Sequence, residues 1–162
     1  MSLDRAATIG DPHRMPSGPV FTPERANRAL VLVRRIVADI VRRYKDLLAL
    51  RLERDELLRT ATSRITRNPG AVPRHERMEE VNQNIDRCAE ELNGLNRELQ
   101  ATGCVLKDWQ TGLVDFPAMY RGRRVWLCWH QGEPTVAYWH EWNDGFGARM
   151  PIEADFSLQE TS

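Results

Sequence analysis

Residues 78–99 read MEEVNQNIDRCAEELNGLNREL, and this stretch decides the fold. Its apolar residues recur at alternating steps of three and four, the spacing that places side chains on one face of an α-helix. The stripe consists of Met78, Val81, Ile85, Cys88, Leu92, Leu95 and Leu99. Polar residues flank it closely, so we expect a helix over about residues 74–101 that buries one narrow face and ends at Gly103.

A longer amphipathic helix is predicted upstream, over about residues 23–66. Thr22 and Pro23 favour a helix start, because a hydroxyl can cap the first turn and proline fits the first helical position. The apolar stripe of this helix includes Leu30, Val33, Val37, Ile40, Tyr44, Leu47, Leu58, Ala61 and Ile65, with Arg51 and Arg54 at the intervening positions. Residues 68–73 contain two prolines and a glycine and break the helix, so the two helices should form an antiparallel, coiled-coil-like hairpin over residues 22–102.

If the turn is centred in this break, residues of the two helices whose numbers add to about 141 lie opposite each other. Arg51 then faces Glu90 or Glu91, and Arg54 faces Cys88. We interpret the two arginines as ion-pair residues that set the alignment of the helices, because a polar residue in an apolar stripe commonly does so. Anion binding is the alternative.

The first helix carries more apolar residues than one neighbouring helix can bury. Outside its stripe lie Ile36, Val41, Leu48, Leu50, Leu52 and Leu57. Left exposed together, they would form an apolar patch of a kind uncommon on monomers. We therefore predict a homodimer joined through this face. The alternative is that the C-terminal part of the chain folds back over these residues, since the predicted turn leaves residues 23–40 extending beyond the second helix.

The helical period stops after Gly103, and all five tryptophans lie between Trp109 and Trp142. Four apolar runs separated by turn residues predict strands over residues 104–107, 113–116, 124–130 and 135–141. Connections this short permit only hairpins, so we expect a small antiparallel meander over residues 103–152. A sheet of this size needs a helix on one face. The N-terminal part of the first helix is predicted to supply it, which makes the fold class α+β.

The charge of the chain, its apolar runs and its two ends limit the classes of function that we consider. The chain has 23 basic and 23 acidic residues, so net charge favours no class of partner. Residues 23–67 carry twelve basic against six acidic residues, which leaves nucleic acid as an alternative partner. No apolar run reaches the ~20 residues of a membrane span. Residues 1–21 are expected to be a disordered lead-in rather than a secretory signal, and residues 153–162 a tail. Three cysteines without close spacing favour the reducing cytoplasm.

The β module also carries a series of short motifs typical of one family. They are Lys107-Asp108, Gly112-Leu-Val-Asp-Phe116, Gly122, Val125, Leu127-Cys-Trp129, Gly132-Glu133, Trp139-His140, Gly145-Phe146 and Arg149-Met-Pro-Ile152. The run Phe21-Thr-Pro-Glu-Arg-Ala-Asn27 before a long helix is similar too. From about Phe21 to Ile152 the chain resembles an uncharacterised bacterial family, domain of unknown function 2203. The resemblance implies membership of that family but no activity and no catalytic roles.

Polar residues in the β module are the candidates for chemistry. A carboxylate can orient a histidine as a general base, so the candidate catalytic residues are Asp115, Glu133, His140 and Arg149. Thiol and imidazole groups bind divalent metals, so the candidate metal ligands are Cys128, His130 and His140. The structural alternatives are a buried, hydrogen-bonded His140 and a salt bridge from Arg149 to Asp115 or Glu133.

The register of the last hairpin determines whether Cys128 and His140 could bind the same metal ion. If residues 131–134 form the loop, paired residue numbers add to 265, and Cys128 and His140 lie on opposite faces of the sheet. That register argues against a shared ion, so no cofactor is predicted and a divalent metal stays an alternative.

Three functions follow from these observations. We favour a cytoplasmic homodimer that acts as a structural or protein-interaction module for a partner protein, rather than an enzyme. The alternatives are a nucleic-acid-associated module that uses the basic hairpin, and a metal-dependent or small-molecule enzyme with its site in the β module.

Overall fold

A computed structural model describes residues 20–62 and 71–156. Two helices are followed by five strands that form one antiparallel sheet in the order β1-β2-β3-β4-β5, which confirms the α+β prediction. The elements are α1 Pro23–Thr62, α2 Ala71–Ala101, β1 Val105–Asp108, β2 Leu113–Tyr120, β3 Arg123–His130, β4 Tyr138–Glu141 and β5 Met150–Pro151. Among the described residues, neither helix is long and apolar enough to cross a membrane.

Several predictions fall on parts of the chain outside the described residues. They are the lead-in over residues 1–19, the continuation of the first helix over residues 63–66, the break at residues 68–70 and the tail from residue 157. The chain separates into two compact units. One runs from Arg42 to Gly94, and the other combines the chain up to Val41 with the chain from Leu95 onward.

In the unit from Arg42 to Gly94, α1 and α2 are antiparallel and bury the predicted stripe. Leu47, Val81, Ile85, Cys88 and Leu92 are all buried. Of the other residues predicted for this stripe, Tyr44 and Met78 are half-buried, Ala61 is exposed, and Leu58 is 51% exposed. Leu58 lies close to the start of α2, so little of the second helix is available to cover it.

The alignment of the two helices differs from the one predicted. Glu91 pairs with Arg43, and the Cys88 thiol donates to the Arg43 carbonyl at 3.2 Å. With the ion pair between Arg77 and Glu53, these contacts join residues whose numbers add to about 130–134 rather than 141. The placements of Arg51 opposite Glu90 or Glu91 and of Arg54 opposite Cys88 were therefore wrong.

The cause of this shift is the start of α2. The helix begins at Ala71 rather than Arg74 and includes Pro73 in its first turn. Proline is tolerated there because the first N–H groups of a helix have no partner inside the helix. At its other end α2 finishes at Ala101 as predicted, and Gly103 follows with a φ of 96°.

In the other unit, the sheet contacts the N-terminal half of α1. The buried residues of this half are Ala26, Leu30, Val33, Ile36, Val37 and Ile40. Phe21, just before α1, donates its N–H to the Pro117 carbonyl at 2.7 Å and packs its ring edge-on against Phe116. Gly112, between β1 and β2, lies against Val37. The prediction that the sheet packs on this part of the helix is confirmed.

Strand β2 is longer than predicted and passes through Pro117 to Tyr120. The carbonyl of Pro117 accepts from Phe21, so the backbone N of Pro117, which lies on the same side of the strand, faces away from β3. No ladder hydrogen bond is lost at the proline. Arg121 and Gly122, both with positive φ, then form the two-residue turn into β3 that the twist of a hairpin favours.

The pairing of β3 with β4 differs from the prediction by one residue. Trp126 pairs with His140, so paired numbers add to 266 instead of 265, and β4 begins at Tyr138 instead of Thr135. Val136 lies before the strand because the Asn27 side chain bonds both its N–H and its carbonyl, at 2.8 and 3.2 Å. Cys128 and His140 therefore share one face of the sheet, which corrects the prediction that they lie on opposite faces.

The two-residue strand β5 was not predicted. Met150 and Pro151 pair with Trp139 and Tyr138 at the edge of the sheet. Two residues are too few to establish an alternating pattern, and a proline argues against a strand except at an edge, which is where this one lies.

The close approach of Gly112 to α1 can be tested by adding one methyl group. A Cβ at Gly112 would lie 2.8 Å from Val37 Cγ1 and 2.9 Å from Gln131 Cβ, and the backbone φ is 77°. We expect Gly112→Ala to lower the free energy of unfolding by about 2–4 kcal/mol, through left-handed backbone strain and overpacking. Urea unfolding followed by tryptophan fluorescence measures this change.

Gly122→Ala is the matched control. Its φ of 74° is nearly the same, but a Cβ there meets nothing within 4 Å. Strain alone should lower the free energy of unfolding by about 1–2 kcal/mol. Equal losses in the two variants would mean that crowding by Val37 and Gln131 contributes nothing.

Candidate functional site

Three strands bring Asp115, Cys128 and His140 together on one face of the sheet. Asp115 on β2 pairs with Cys128 on β3, which pairs with Tyr138 on β4, and His140 lies two residues further along β4. Side chains two residues apart on a strand point to the same face. The candidate ligand atoms of these three residues all lie within 4.8 Å of one another, and each residue is at most 2% exposed. We call Asp115, Cys128 and His140 the buried cluster.

His140 and Asp115 share a proton. The Nδ1 atom of His140 lies 2.8 Å from the Glu141 carbonyl oxygen, which can only accept, so Nδ1 carries a hydrogen and donates it. The Nε2 atom lies 3.0 Å from Asp115 Oδ2, and this bond needs one further proton on either atom. Burial alone would lower the pKa of His140, but the hydrogen bond and charge of Asp115 together with the Glu141 carbonyl raise it above its usual value.

Cys128 is a protonated thiol at neutral pH. Burial is the largest cause of its raised pKa, and the negative charge of Asp115 raises that pKa further. The Arg149 guanidinium acts in the opposite direction but more weakly. The thiol is therefore no ready nucleophile, since the thiolate is the reactive form.

One oxygen of the buried cluster has no hydrogen-bond partner. Asp115 Oδ2 is bonded to His140, whereas Asp115 Oδ1 is buried without a donor among the described residues. An unpaired buried carboxylate oxygen typically costs 1–3 kcal/mol or more, because it gives up water and gains nothing in return. Such an atom requires a physical explanation.

Arg149 and Glu133 form a second polar pair next to the buried cluster. Arg149 Nη1 donates to Glu133 Oε1 at 2.7 Å, and Glu133 Oε2 accepts the His130 backbone N–H at 2.9 Å. The guanidinium also stacks on two rings, 3.9 Å from the centre of Phe146 and 4.4 Å from that of Tyr138. Of the two salt bridges considered from the sequence, the one with Glu133 is present, and it ties the segment after β4 to the β3–β4 connection.

The four candidate catalytic residues thus lie in two pairs, Asp115 with His140 and Arg149 with Glu133. The first pair is too buried to contact a substrate in this structure, with side chains 3% and 2% exposed. The second pair is partly exposed, at 14% for Arg149 and 21% for Glu133. This arrangement resembles structural bracing more than a general base facing a substrate cleft.

The candidate metal ligands divide differently. Cys128 and His140 come together, but His130 lies at the end of β3, where its ring packs against Phe146 with ring centres 5.5 Å apart. Asp115 takes the place that the sequence assigned to His130. The sequence analysis anticipated a buried, hydrogen-bonded His140 but not Glu141 as the residue whose carbonyl accepts that bond. The correct hairpin register would have placed Cys128 and His140 on one face of the sheet.

A second candidate site lies on α1 in the unit from Arg42 to Gly94. Lys45, Leu48, Leu52 and Asp55 follow one another at steps of three, four and three, which places them along one line of the helix surface. Leu48 is half-buried, Leu52 is 70% exposed, and the two charged residues are exposed. We call these four residues the outer stripe.

The residues predicted to form the interface differ in exposure. Ile36 is buried within the chain, while Val41, Leu48, Leu50 and Leu57 are half-buried and Leu52 is exposed. Ile36 is therefore not available to a partner in this conformation.

The pairing of Asp115 with His140 can be measured by a double-mutant cycle. His140→Leu leaves the Asp115 carboxylate buried without its partner, and we expect the free energy of unfolding to fall by about 3–5 kcal/mol. The double variant Asp115→Val/His140→Leu removes both polar groups and should be no less stable than the His140→Leu single variant. Urea unfolding of the wild type, both singles and the double supplies the cycle. Strictly additive losses would show that the two side chains do not interact.

Comparisons with known proteins identify a family and nothing narrower. No curated protein and no solved structure matches the chain. The model of the family described as "Uncharacterized conserved protein (DUF2203)" matches residues 19–152, which include both helices, the sheet and the buried cluster. The chain belongs to the DUF2203 family of uncharacterised conserved proteins.

Proposed function

We propose that the protein is a structural or protein-interaction module that works as a homodimer joined through the outer stripe of α1. The observation that carries this proposal is Leu52, a large apolar side chain that is 70% exposed in the middle of a helix. Leu58, six residues further on, is 51% exposed, and Leu50 and Leu57 are only half-buried. Burying this much apolar surface against a partner is favourable at roughly 25 cal/mol per Å².

The charges of the outer stripe favour a second copy of the same chain as the partner. If two α1 helices pair antiparallel about a two-fold axis near residue 50, residues whose numbers add to 100 face each other. Leu48 then packs against Leu52 of the second copy, and Lys45 lies opposite Asp55 of the second copy, whose carboxylate also lies 3.8 Å from Arg54 of its own chain. Because the interface is symmetric, each contact occurs twice. The stripe is therefore complementary to itself in both shape and charge.

The spacing of the outer stripe is that of a coiled coil, in which side chains at steps of three and four pack into the gaps of the facing helix. We extend the proposal to coiled-coil packing between the two copies and to a cytoplasmic location. Support for the location comes from Cys88, Cys104 and Cys128, which are all free and buried. Free thiols are typical of proteins that work in a reducing compartment.

No specific observation favours the two alternative functions. Arg43, Arg59 and Arg77, on the basic hairpin, each contact a carboxylate, and these contacts would compete with phosphate binding. The enzyme alternative needs an accessible polar cluster, and Asp115 and His140 are almost completely buried. The interaction module is therefore the function we propose.

Charge reversal tests the dimer and its orientation together. Lys45→Glu places like charges opposite each other twice in the interface, and so does Asp55→Lys. We expect each single variant to weaken dimerisation about 10- to 100-fold, since each replaces two favourable surface pairs by two unfavourable ones. Lys45→Glu/Asp55→Lys restores opposite charges and should recover most of the affinity. Sedimentation velocity over a concentration series measures the dissociation constants.

Two further variants complete the experiment. Leu52→Glu should leave the protein monomeric at all concentrations tested, because it places a charge at the centre of the apolar contact. Arg97→Glu changes an exposed charge outside the outer stripe and should dimerise as the wild type does. A wild type that sediments at 18.7 kDa at micromolar concentration would overturn the dimer. A double reversal as weak as the singles would overturn the antiparallel pairing.

A further inference from the structure

We propose that Asp115, Cys128 and His140 form a binding site for one divalent transition-metal ion, with zinc the ion that the donor set favours. One carboxylate, one thiol and one imidazole are a mixed oxygen, sulfur and nitrogen set, which suits zinc better than the all-oxygen sites of magnesium or calcium. This proposal concerns the interior of the sheet and does not depend on the homodimer.

The geometry of the buried cluster is close to what one ion needs. Zinc binds imidazole nitrogen at about 2.0–2.1 Å and thiolate sulfur at about 2.3 Å, so neighbouring donors of a tetrahedral site lie roughly 3.3–3.8 Å apart. The three candidate donor atoms already lie within 4.8 Å of one another. Small side-chain rotations would bring them to bonding distance, and paired strands hold all three backbones in place.

The unpartnered oxygen is the second and independent observation. Asp115 Oδ1 is buried and accepts no hydrogen bond from any described residue. A cation bound by both carboxylate oxygens would satisfy Oδ1 and would replace the hydrogen bond that Oδ2 loses when Nε2 becomes a ligand. An ordinary carboxylate–histidine pair explains Oδ2 alone.

The groups around the cluster are those that support metal ligands elsewhere. The Nδ1 hydrogen of His140 is held by the Glu141 carbonyl, which directs Nε2 toward the cluster, and metal-binding histidines are usually oriented in this way. Arg149 is close enough to Cys128 to stabilise its negative form. The charge of Arg149 is in turn balanced by Glu133.

Metal binding exchanges protons for the ion. The metal-free cluster holds a thiol proton on Cys128 and one proton shared by His140 and Asp115. On binding M²⁺, sulfur, Nε2 and both oxygens of the Asp115 carboxylate each donate an electron pair to the metal, which makes it four-coordinate, and the two protons leave to solvent. The resulting site carries no net charge, because the thiolate and the carboxylate balance the two positive charges, and burial therefore costs little.

Cobalt is the probe for this site, because it replaces zinc in tetrahedral sites and is coloured. The full-length protein is stripped with a chelator, dialysed and titrated with Co²⁺. We expect saturation at one equivalent, visible absorption bands of four-coordinate cobalt, and a near-ultraviolet thiolate-to-cobalt charge-transfer band. Zinc added afterwards should displace the cobalt and abolish the bands, since zinc binds such ligands more tightly.

The variants identify the ligands. Cys128→Ser should lose the charge-transfer band, and Asp115→Asn and His140→Gln should weaken binding by at least about 100-fold, because loss even of a supporting group costs 10- to 100-fold. The matched controls are Cys88→Ser, a buried thiol in the helical hairpin, and His130→Gln, a histidine outside the cluster. Both controls should bind as the wild type does. Circular dichroism establishes that each variant is folded.

A measurement on the wild type covers the case in which a cluster variant does not fold. In moderate urea, zinc should slow alkylation of Cys128 at least tenfold relative to alkylation of Cys88, as read by mass spectrometry of the digested protein. The proposal is overturned if the wild type binds less than one equivalent of either metal, if the charge-transfer band persists in folded Cys128→Ser, or if zinc protects Cys88 and Cys128 equally.

Discussion

The side-chain amide of Asn27 on α1 makes the two backbone hydrogen bonds with Val136 that a neighbouring strand would otherwise make. Its oxygen accepts the Val136 N–H at 2.8 Å and its nitrogen donates to the Val136 carbonyl at 3.2 Å. Because these bonds hold Val136 outside the sheet, β4 begins at Tyr138, and Cys128 lies opposite Tyr138. A shift of one residue would move every β4 side chain to the other face. The position of His140, and with it the whole buried cluster, depends on this register.

The face of the sheet that carries the buried cluster poses an energetic problem. Removing Asp115 and His140 from water costs several kcal/mol, and apolar side chains of similar size would often be as stable or more stable there. Trp126, on the same face, is an example of the apolar residues that this surface otherwise buries. Its ring stacks on the Trp142 ring, and the Lys107 ammonium lies over it. An acidic residue with one unsatisfied oxygen is thus poorly explained by stability alone. The cation that we propose would supply the missing compensation, whereas the pair of Asp115 with His140 alone leaves Oδ1 without a partner.

The sequence was sufficient for features set by local spacing. The stripe through Val81, Ile85 and Leu92 determined α2, and the change of period after Gly103 determined where the sheet begins. Features set by long-range contacts could not be predicted in the same way. Nothing near residue 136 indicates that Asn27, 109 positions earlier, will bond to it. The predicted alignment of the two helices was wrong for a related reason. It assumed a turn centred near residue 70, but α2 begins at Ala71 and includes Pro73, so the turn lies earlier in the chain.

The two halves of α1 carry similar numbers of apolar residues, but they meet different surroundings. In the unit that contains the sheet, Leu30, Val33, Ile36, Val37 and Ile40 are buried, because the sheet covers a second side of the helix, while Val31 and Leu32 are 64% and 55% exposed. In the unit from Arg42 to Gly94, α2 covers one side only, and Leu47 is buried while Leu52 and Leu58 are exposed. A helix that served only to pair with α2 would need one apolar face, as α2 itself has. The additional leucines therefore have no second surface among the described residues of that unit. The second copy of the chain that we propose as the partner would bring the same stripe with its charges reversed end to end, and it would cover these leucines without a different protein.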